Sequence, residues 1–276
     1  MNHCWSHKSD DDAVSGIISI MNIKSIIFSL SVLFPLMGAA QNPKLSNSRA
    51  SREAVALYAY LNEMSGKKIL SGQMSSSWGI DEMAYILKKT GKLPAINGFD
   101  FITAKDNLQE VKGAIEWWRS GGIPTIMWHM GAPGQGEGYQ SSKKRVDIDR
   151  CLQKGTPEYE IFWAELKQKA DASWYPGDDY VDIAGADIYG VGNRSQEGMY
   201  KGVKDVVGNR MPIAYHECGT PPDPDACIRD GAMWSWWMEW HTDHLTKVNK
   251  AYLKKVYWHE RIITKDELPD IVKEYG

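Results

Sequence analysis

The chain has 276 residues and a formal charge of −3, and its 32 Lys and Arg are scattered along the sequence. That balance argues against a nucleic-acid surface, which needs a concentrated basic face to pair with phosphates. Twelve Trp and 13 Tyr are many for this length; much of that ring surface must be core, but aromatic faces also floor sugar-binding clefts.

Residues 21–40 carry Lys24, an apolar run over 26–37, and the small residues Gly38 and Ala40 ahead of Gln41, the pattern of a secretory signal peptide. A membrane anchor is the alternative, but the run falls short of the roughly 18 apolar residues a span needs. Residues 1–20 are polar and unpatterned and read as an over-extended start. The expectation is a secreted or periplasmic chain, one domain over 41–276, with no membrane contact in the mature form.

Cys4 precedes the leader, leaving Cys151, Cys218 and Cys227. Export to an oxidising compartment permits one disulfide and one free thiol, and a Cys218–Cys227 bridge would clip the loop after Glu217. No Cys/His spacing suits a structural zinc, so neither metal nor cofactor is expected.

In chain order, 52–64 places Val55, Leu57, Tyr58, Leu61 and Met64 on a helical stripe, and 68–73 is a short strand. A helix over 80–89 ends at Gly91, and 93–100 is a strand closing on Asp100. The helix over 107–119 feeds a strand over 123–129 that ends on Trp128 and His129. A long loop follows over 131–155, then a helix with Thr156 as N-cap and Pro157 at its first position, reaching about Ala172. After a turn over 174–180, residues 181–189 form a strand ending on Asp187 and Tyr189, and 196–207 is helical. Residues 211–217 are an apolar strand ending on His216 and Glu217, where Gly219, Pro221, Pro222 and Pro224 stop it. The last strand covers 231–241 and the last helix 244–259.

Short apolar strands alternating with helices, each strand ending on polar residues, predict a parallel α/β protein. Several such ends converging on one face point to a (β/α)8 barrel, here incomplete with six recognisable strands. A doubly wound sheet is the runner-up, but there is no Gly-x-Gly-x-x-Gly after the first strand and no P-loop.

With these strand ends laid out, the chain resembles glycoside hydrolase family 26, barrel enzymes that are mostly endo-β-1,4-mannanases. The resemblance rests on Leu70-Ser-Gly-Gln73, Trp128-His129, Trp174-Tyr-Pro-Gly-Asp-Asp-Tyr-Val-Asp-Ile183, Asp187-Ile-Tyr189, Glu217-Cys-Gly with Pro222-Asp-Pro-Asp225, and the Trp-rich last strand. It implies a retaining mechanism on a β-mannan or related β-glycan. In it Glu217 attacks the anomeric carbon, and a second acid about 5–5.5 Å away protonates the leaving oxygen.

The family carries that acid at the end of strand four in a Trp-Arg-Pro-x-His-Glu motif, which this sequence lacks. The flanks of strands four and five are fused across Asp171-Ala-Ser173. Three readings stay open: a deletion, which is favoured; a non-catalytic carbohydrate-binding remnant; or a replacement acid, with His129, Asp100 and Glu239 the nearby candidates.

The resemblance also implies that Trp128 and His129 contact sugar and that Tyr189 hydrogen-bonds the nucleophile. Asp187 shares Tyr189's strand face and is expected at the same subsite. Trp234 and Trp236 share one face of the last strand with Trp237 on the other, and one of these rings is expected to floor the subsite. Gln73 and Asp100 read as structural.

Overall fold

In the computed structural model the described residues are 45, 47–76, 79–101, 107–129, 134–136, 139–172, 182–209 and 211–276. The expected leader 21–40, residues 1–20 and the 174–180 turn lie outside them. Among the described residues no helix is long and apolar enough to cross a membrane.

Helix α1(Arg52–Met64) starts at Ser51, whose hydroxyl accepts from the Ala54 N–H. The first strand is split into β1(Ile69–Leu70) and β2(Gly72–Met74). Asp81 caps α2(Glu82–Thr90), and Gly91 closes it at φ 81°, a left-handed turn that glycine adopts without strain. β3(Ile96–Asp100), α3(Leu108–Arg119) and β4(Ile123–Met127) follow. The predicted 131–155 loop contains two short helices, α4(Tyr139–Ser142) and α5(Ile148–Leu152). In α6(Pro157–Ala172) Thr156 caps as expected, its Oγ1 accepting from the Tyr159 N–H at 3.1 Å.

The second half runs β5(Ala184–Ile188), α7(Glu197–Val207), β6(Ile213–Cys218), α8(Pro224–Asp230), β7(Trp237–Glu239), α9(Thr242–Leu245), α10(Lys250–Tyr257), β8(Ile262–Ile263) and α11(Ile271–Tyr275). Sequence reasoning missed α8 because it took the prolines after Glu217 as loop. Asp223 caps that helix and Pro224 occupies its first turn, where a missing N–H costs nothing. The predicted final helix is two, with Asn249 capping the second.

Six strands form one sheet in the order β4-β3-β2-β7-β6-β5, and every pairing is parallel. The chain starts mid-sheet, builds outward to β4, then returns from the far edge at β5 inward to β7, which joins β2. Last strand against first is how a barrel closes. Here β4 and β5 remain unpaired edges, with no strand between Met127 and Ala184 among the described residues, so the sheet is an incomplete (β/α)8 barrel. Burial follows: all of β3 is buried, whereas Ile126 on β4 and Gly185 and Asp187 on β5 are exposed. At the seam a Cβ on Gly72 would sit 2.2 Å from the Trp237 carbonyl oxygen, so only glycine lets β2 approach β7 this closely.

Successive strand residues alternate between two cores. Tyr215, Trp234 and Trp237 pack with Tyr200 and Tyr257 on the outer, helix-covered face. Ala214, Trp236, Met238 and Trp240 pack with Leu70, Met74 and Ile96 on the inner face.

Two expectations are corrected here. Cys151, Cys218 and Cys227 are all buried and none is in a disulfide. Cys218 and Cys227 share the outer core, and burial pushes the Cys227 thiol up to about 12. Trp234 is not a cleft residue: it is fully buried, stacked on Tyr215 at 5.1 Å and edge-on to Tyr200, with its indole N–H donating to the Ser195 carbonyl.

Candidate active site

Glu217 stands on the C-terminal lip of β6, as the strand-breaking residues after it predicted. Its side chain reaches the inner face because β6 carries one extra residue relative to both neighbours. β5 pairs Ala186 with Tyr215 and then Asp187 with Glu217, while β7 pairs Trp237 with Tyr215 and then Glu239 with Cys218. Such a bulge lets two consecutive side chains leave the strand on one side. Tyr215 and Cys218 both lie in the outer core, so His216 and Glu217 between them face the cleft.

Tyr189, just beyond β5, donates its phenol to Glu217 Oε2 at 2.7 Å. Burial pushes the Glu217 carboxyl above the usual range; the Tyr189 hydrogen bond and the nearby His216 and His129 work the other way, while Asp187 adds to the rise. Burial and the same carboxylate push the Tyr189 hydroxyl far up, so it stays a donor. Beside them His216 Nδ1 lies 3.3 Å from Asp187 Oδ1, and this contact raises the imidazole against the opposing effect of burial.

An arc of rings continues around the lip. Tyr189 meets His244 at 5.0 Å between ring centres, His244 meets His241 at 6.0 Å, and His241 meets Trp240 at 5.7 Å. Trp240 stands edge-on to His129 at 5.8 Å, and His129 Nδ1 is 2.9 Å from Asp100 Oδ1 at the end of β3. Burial holds Asp100 above the usual carboxylate range, with His129 opposing it. A Cβ on Gly219 would fall 2.8 Å from His244 Nδ1 and 3.3 Å from the Tyr189 ring, so glycine there is what lets these two rings meet. Glu82 ties the loops after β2 and β7 together, accepting from the Ser76 and Thr242 hydroxyls, both at 2.6 Å.

Of the residues picked out in the sequence, Glu217, Tyr189, Asp187 and His129 come together at this lip, with Trp128 half-buried next to His129 at the end of β4. Trp236 does not join them. It bridges Leu70 low on the inner face, two residues before Met238 and four before Trp240, because it lies just ahead of β7, which rises from there towards the lip. The lip ring of that strand is therefore Trp240, which the sequence reading passed over because it took the strand to run evenly through 231–241. Its position as the last aromatic before His241 was the available signal.

His216, His241 and His244 were also missed; a strand end followed by His at 241 and 244 was legible, the bulge was not. Glu239 cannot serve the cleft. It faces the outer core with Trp237, fully buried near Tyr257 and Cys218, and burial drives its carboxyl far up. Gln73 pairs with Glu239 across the seam, its amide donating to the Trp240 carbonyl at 2.8 Å.

Asp187, His216 and Glu217 offer polar atoms that all lie within 4.8 Å of one another. The Asp187–His216 and Tyr189–Glu217 contacts already occupy these groups, which suits proton handling and nucleophilic attack better than holding a cation.

The model of the family described as glycosyl hydrolase family 26 matches residues 46–173 and 163–267. Mannan endo-1,4-beta-mannosidase B of Piromyces sp is 26% identical over 308 aligned residues, covering 83% of this chain and 54% of the relative. This chain thus spans about half the length of that curated relative. A crystal structure of the Podospora anserina GH26-CBM35 β-(1,4)-mannanase superposes with TM-score 0.68 at 24% identity, covering 84% of this chain and 70% of the other. That of a ruminal GH26 endo-β-1,4-mannanase gives 0.71 at 23%, covering 82% and 70%. At such identities the two structures speak for the fold, and the family match over most of the sequence settles membership: the chain belongs to glycosyl hydrolase family 26.

Proposed function

We propose that this chain is a retaining glycoside hydrolase that cleaves β-1,4-mannosidic linkages in mannan-type polysaccharides, with Glu217 as nucleophile. The observation that carries this reading is the Tyr189–Glu217 hydrogen bond at the strand lip. A donor fixed on Oε2 favours the ionised carboxylate against the effect of burial and leaves its other oxygen to attack an anomeric carbon. Trp240, His129 and Asp187 would contact the sugar in the subsite under attack, with Trp128 beside them. The mannanase names carried by the relatives support the substrate class.

The usual acid is absent from this reading. The two segments matched to the family overlap at 163–173, and the alignment with the Piromyces relative runs over 308 positions, more than this chain's 276 residues. Both fit a deletion covering the fourth and fifth βα units. General acid assistance contributes about 10²–10⁴-fold, so turnover of unactivated glycans should be slow unless another group takes over. A carbohydrate-binding remnant is the second reading, favoured by the ring-lined lip, which outlasts the loss of the acid. The Lys24-to-Ala40 segment supports export to the periplasm or medium.

The test is reducing-sugar release from β-mannan by the purified chain beside Glu217→Gln. Hydrolysis lost in the variant, with mannan binding kept, supports the enzyme. Binding by both with hydrolysis by neither supports the remnant.

A further inference from the structure

The bulge that brings Glu217 into the cleft brings His216 with it, and this second side chain has no part in the reading above. The imidazole lies over β5, where Gly185 has no side chain: a Cβ there would fall 3.0 Å from the His216 Cβ. Its Nδ1 faces Asp187 Oδ1 at 3.3 Å, so the carboxylate orients the ring from one side. The His216 side chain is 51% exposed, accessible to a substrate, and one of its ring nitrogens lies within 4.8 Å of a Glu217 carboxylate oxygen. Retaining glycosidases hold their two catalytic groups about 5–5.5 Å apart, a comparably short range.

On the footing of the hydrolase reading, we propose that His216 is the acid and base of this active site, oriented by Asp187, in place of the absent strand-four carboxylic acid. In the first step a Glu217 oxygen bonds to the anomeric carbon. The bond from that carbon to the glycosidic oxygen breaks, and the departing oxygen keeps the electron pair and takes a proton from the His216 imidazolium, which becomes neutral. In the second step the neutral imidazole accepts a proton from water as the water oxygen bonds to the anomeric carbon. The ester bond to Glu217 breaks, regenerating carboxylate and imidazolium. Atoms and charge balance without any co-reactant other than water.

Asp187 supplies what such a relay needs, since a carboxylate beside an imidazole favours its charged, proton-donating form. The direction found for His216 agrees, raised first by the contact with Asp187.

The experiment compares the full chain with His216→Gln and Glu217→Gln on two substrates: a manno-oligosaccharide, whose leaving oxygen must be protonated, and a 2,4-dinitrophenyl β-mannobioside, whose leaving group needs no acid. The expected result for His216→Gln is a loss of about 10²–10⁴-fold on the oligosaccharide, with release of dinitrophenol within a few-fold of the unaltered chain in the initial burst. Added azide should then restore turnover of the mannobiosyl-enzyme and yield a β-glycosyl azide. Circular dichroism and the burst itself check that the variant is folded. Equal losses on both substrates, or none on the oligosaccharide, would overturn the role of His216 and leave that of Glu217 standing. Dinitrophenol release that survives Glu217→Gln, or an unaltered chain inert on both substrates, would overturn the hydrolase reading and His216 with it.

Discussion

The Tyr189 hydroxyl donates to Glu217 Oε2 at 2.7 Å across two neighbouring strands whose register slips between Ala186 and Asp187. Without that slip strict alternation would put Glu217, two residues after Tyr215, on Tyr215's outer face, away from the cleft's other groups. The slip also aligns Asp187 with Glu217, so the position of the Glu217 carboxylate and its charged neighbour are set by the same irregularity.

Replacing Tyr189 by Phe removes the contact that opposes the effect of burial on Glu217. The carboxyl should then rise further, because a hydrogen bond to the ionised form favours that form. The acid limb of the pH–rate profile is expected to move to higher pH, with activity at neutral pH down roughly tenfold, the lower end of what a bond to a charged group carries at a partly exposed site. An unchanged acid limb would mean that Tyr189 does not tune Glu217.

Glu239 is fully buried with neither carboxylate oxygen hydrogen-bonded among the described residues, and its carboxyl sits well above the ordinary range because of burial. A raised carboxyl is protonated in the folded chain while the unfolded chain ionises. Its cost is therefore nil below the unfolded value and grows as pH climbs through the interval up to the folded one. Glu239→Gln keeps the shape, removes the ionisation and can donate towards Gln73. Thermal unfolding should show no gain near pH 4 and a higher midpoint at pH 7–9, at roughly 2–4 °C for each kcal/mol recovered. A gain independent of pH would point to packing instead.

Trp234 and Trp240 look alike in the sequence and should behave differently on truncation. Trp234→Ala empties the stack between Tyr200 and Tyr215 and is expected to cost about 3–5 kcal/mol in urea unfolding, with mannan affinity of the remaining folded protein unchanged. Trp240→Phe should cost far less stability and weaken mannan binding, because its ring reaches the lip beside His129. Loss of binding in the first variant with none in the second would reverse these assignments.

The open edge at β4 exposes Ile126. An unpaired strand with an exposed apolar residue is a template for pairing with another chain, and charge blocks it. Ile126→Lys should leave the unfolding free energy within about 0.5 kcal/mol of the parent and reduce concentration-dependent light scattering. Scattering that is unchanged would place self-association elsewhere.

The six strands, their parallel sense and the positions of Glu217, Tyr189, Asp187 and His129 at strand ends were legible in the linear sequence. Apolar runs halted by Gly, Pro and polar residues are local signals, and local signals survive the absence of a fold. Which way each side chain points was not legible wherever pairing departs from strict alternation. One extra residue in β6 put His216 and Glu217 on the same, cleft-facing side, and a non-strand stretch before β7 put Trp234 in the outer core and left the lip to Trp240. The burial of Glu239 against α10 and the separation of Cys218 and Cys227 as thiols likewise depend on partners far along the chain. Register and burial are set by contacts between strands distant in sequence, so a one-residue slip that changes no local pattern reassigns every side chain beyond it.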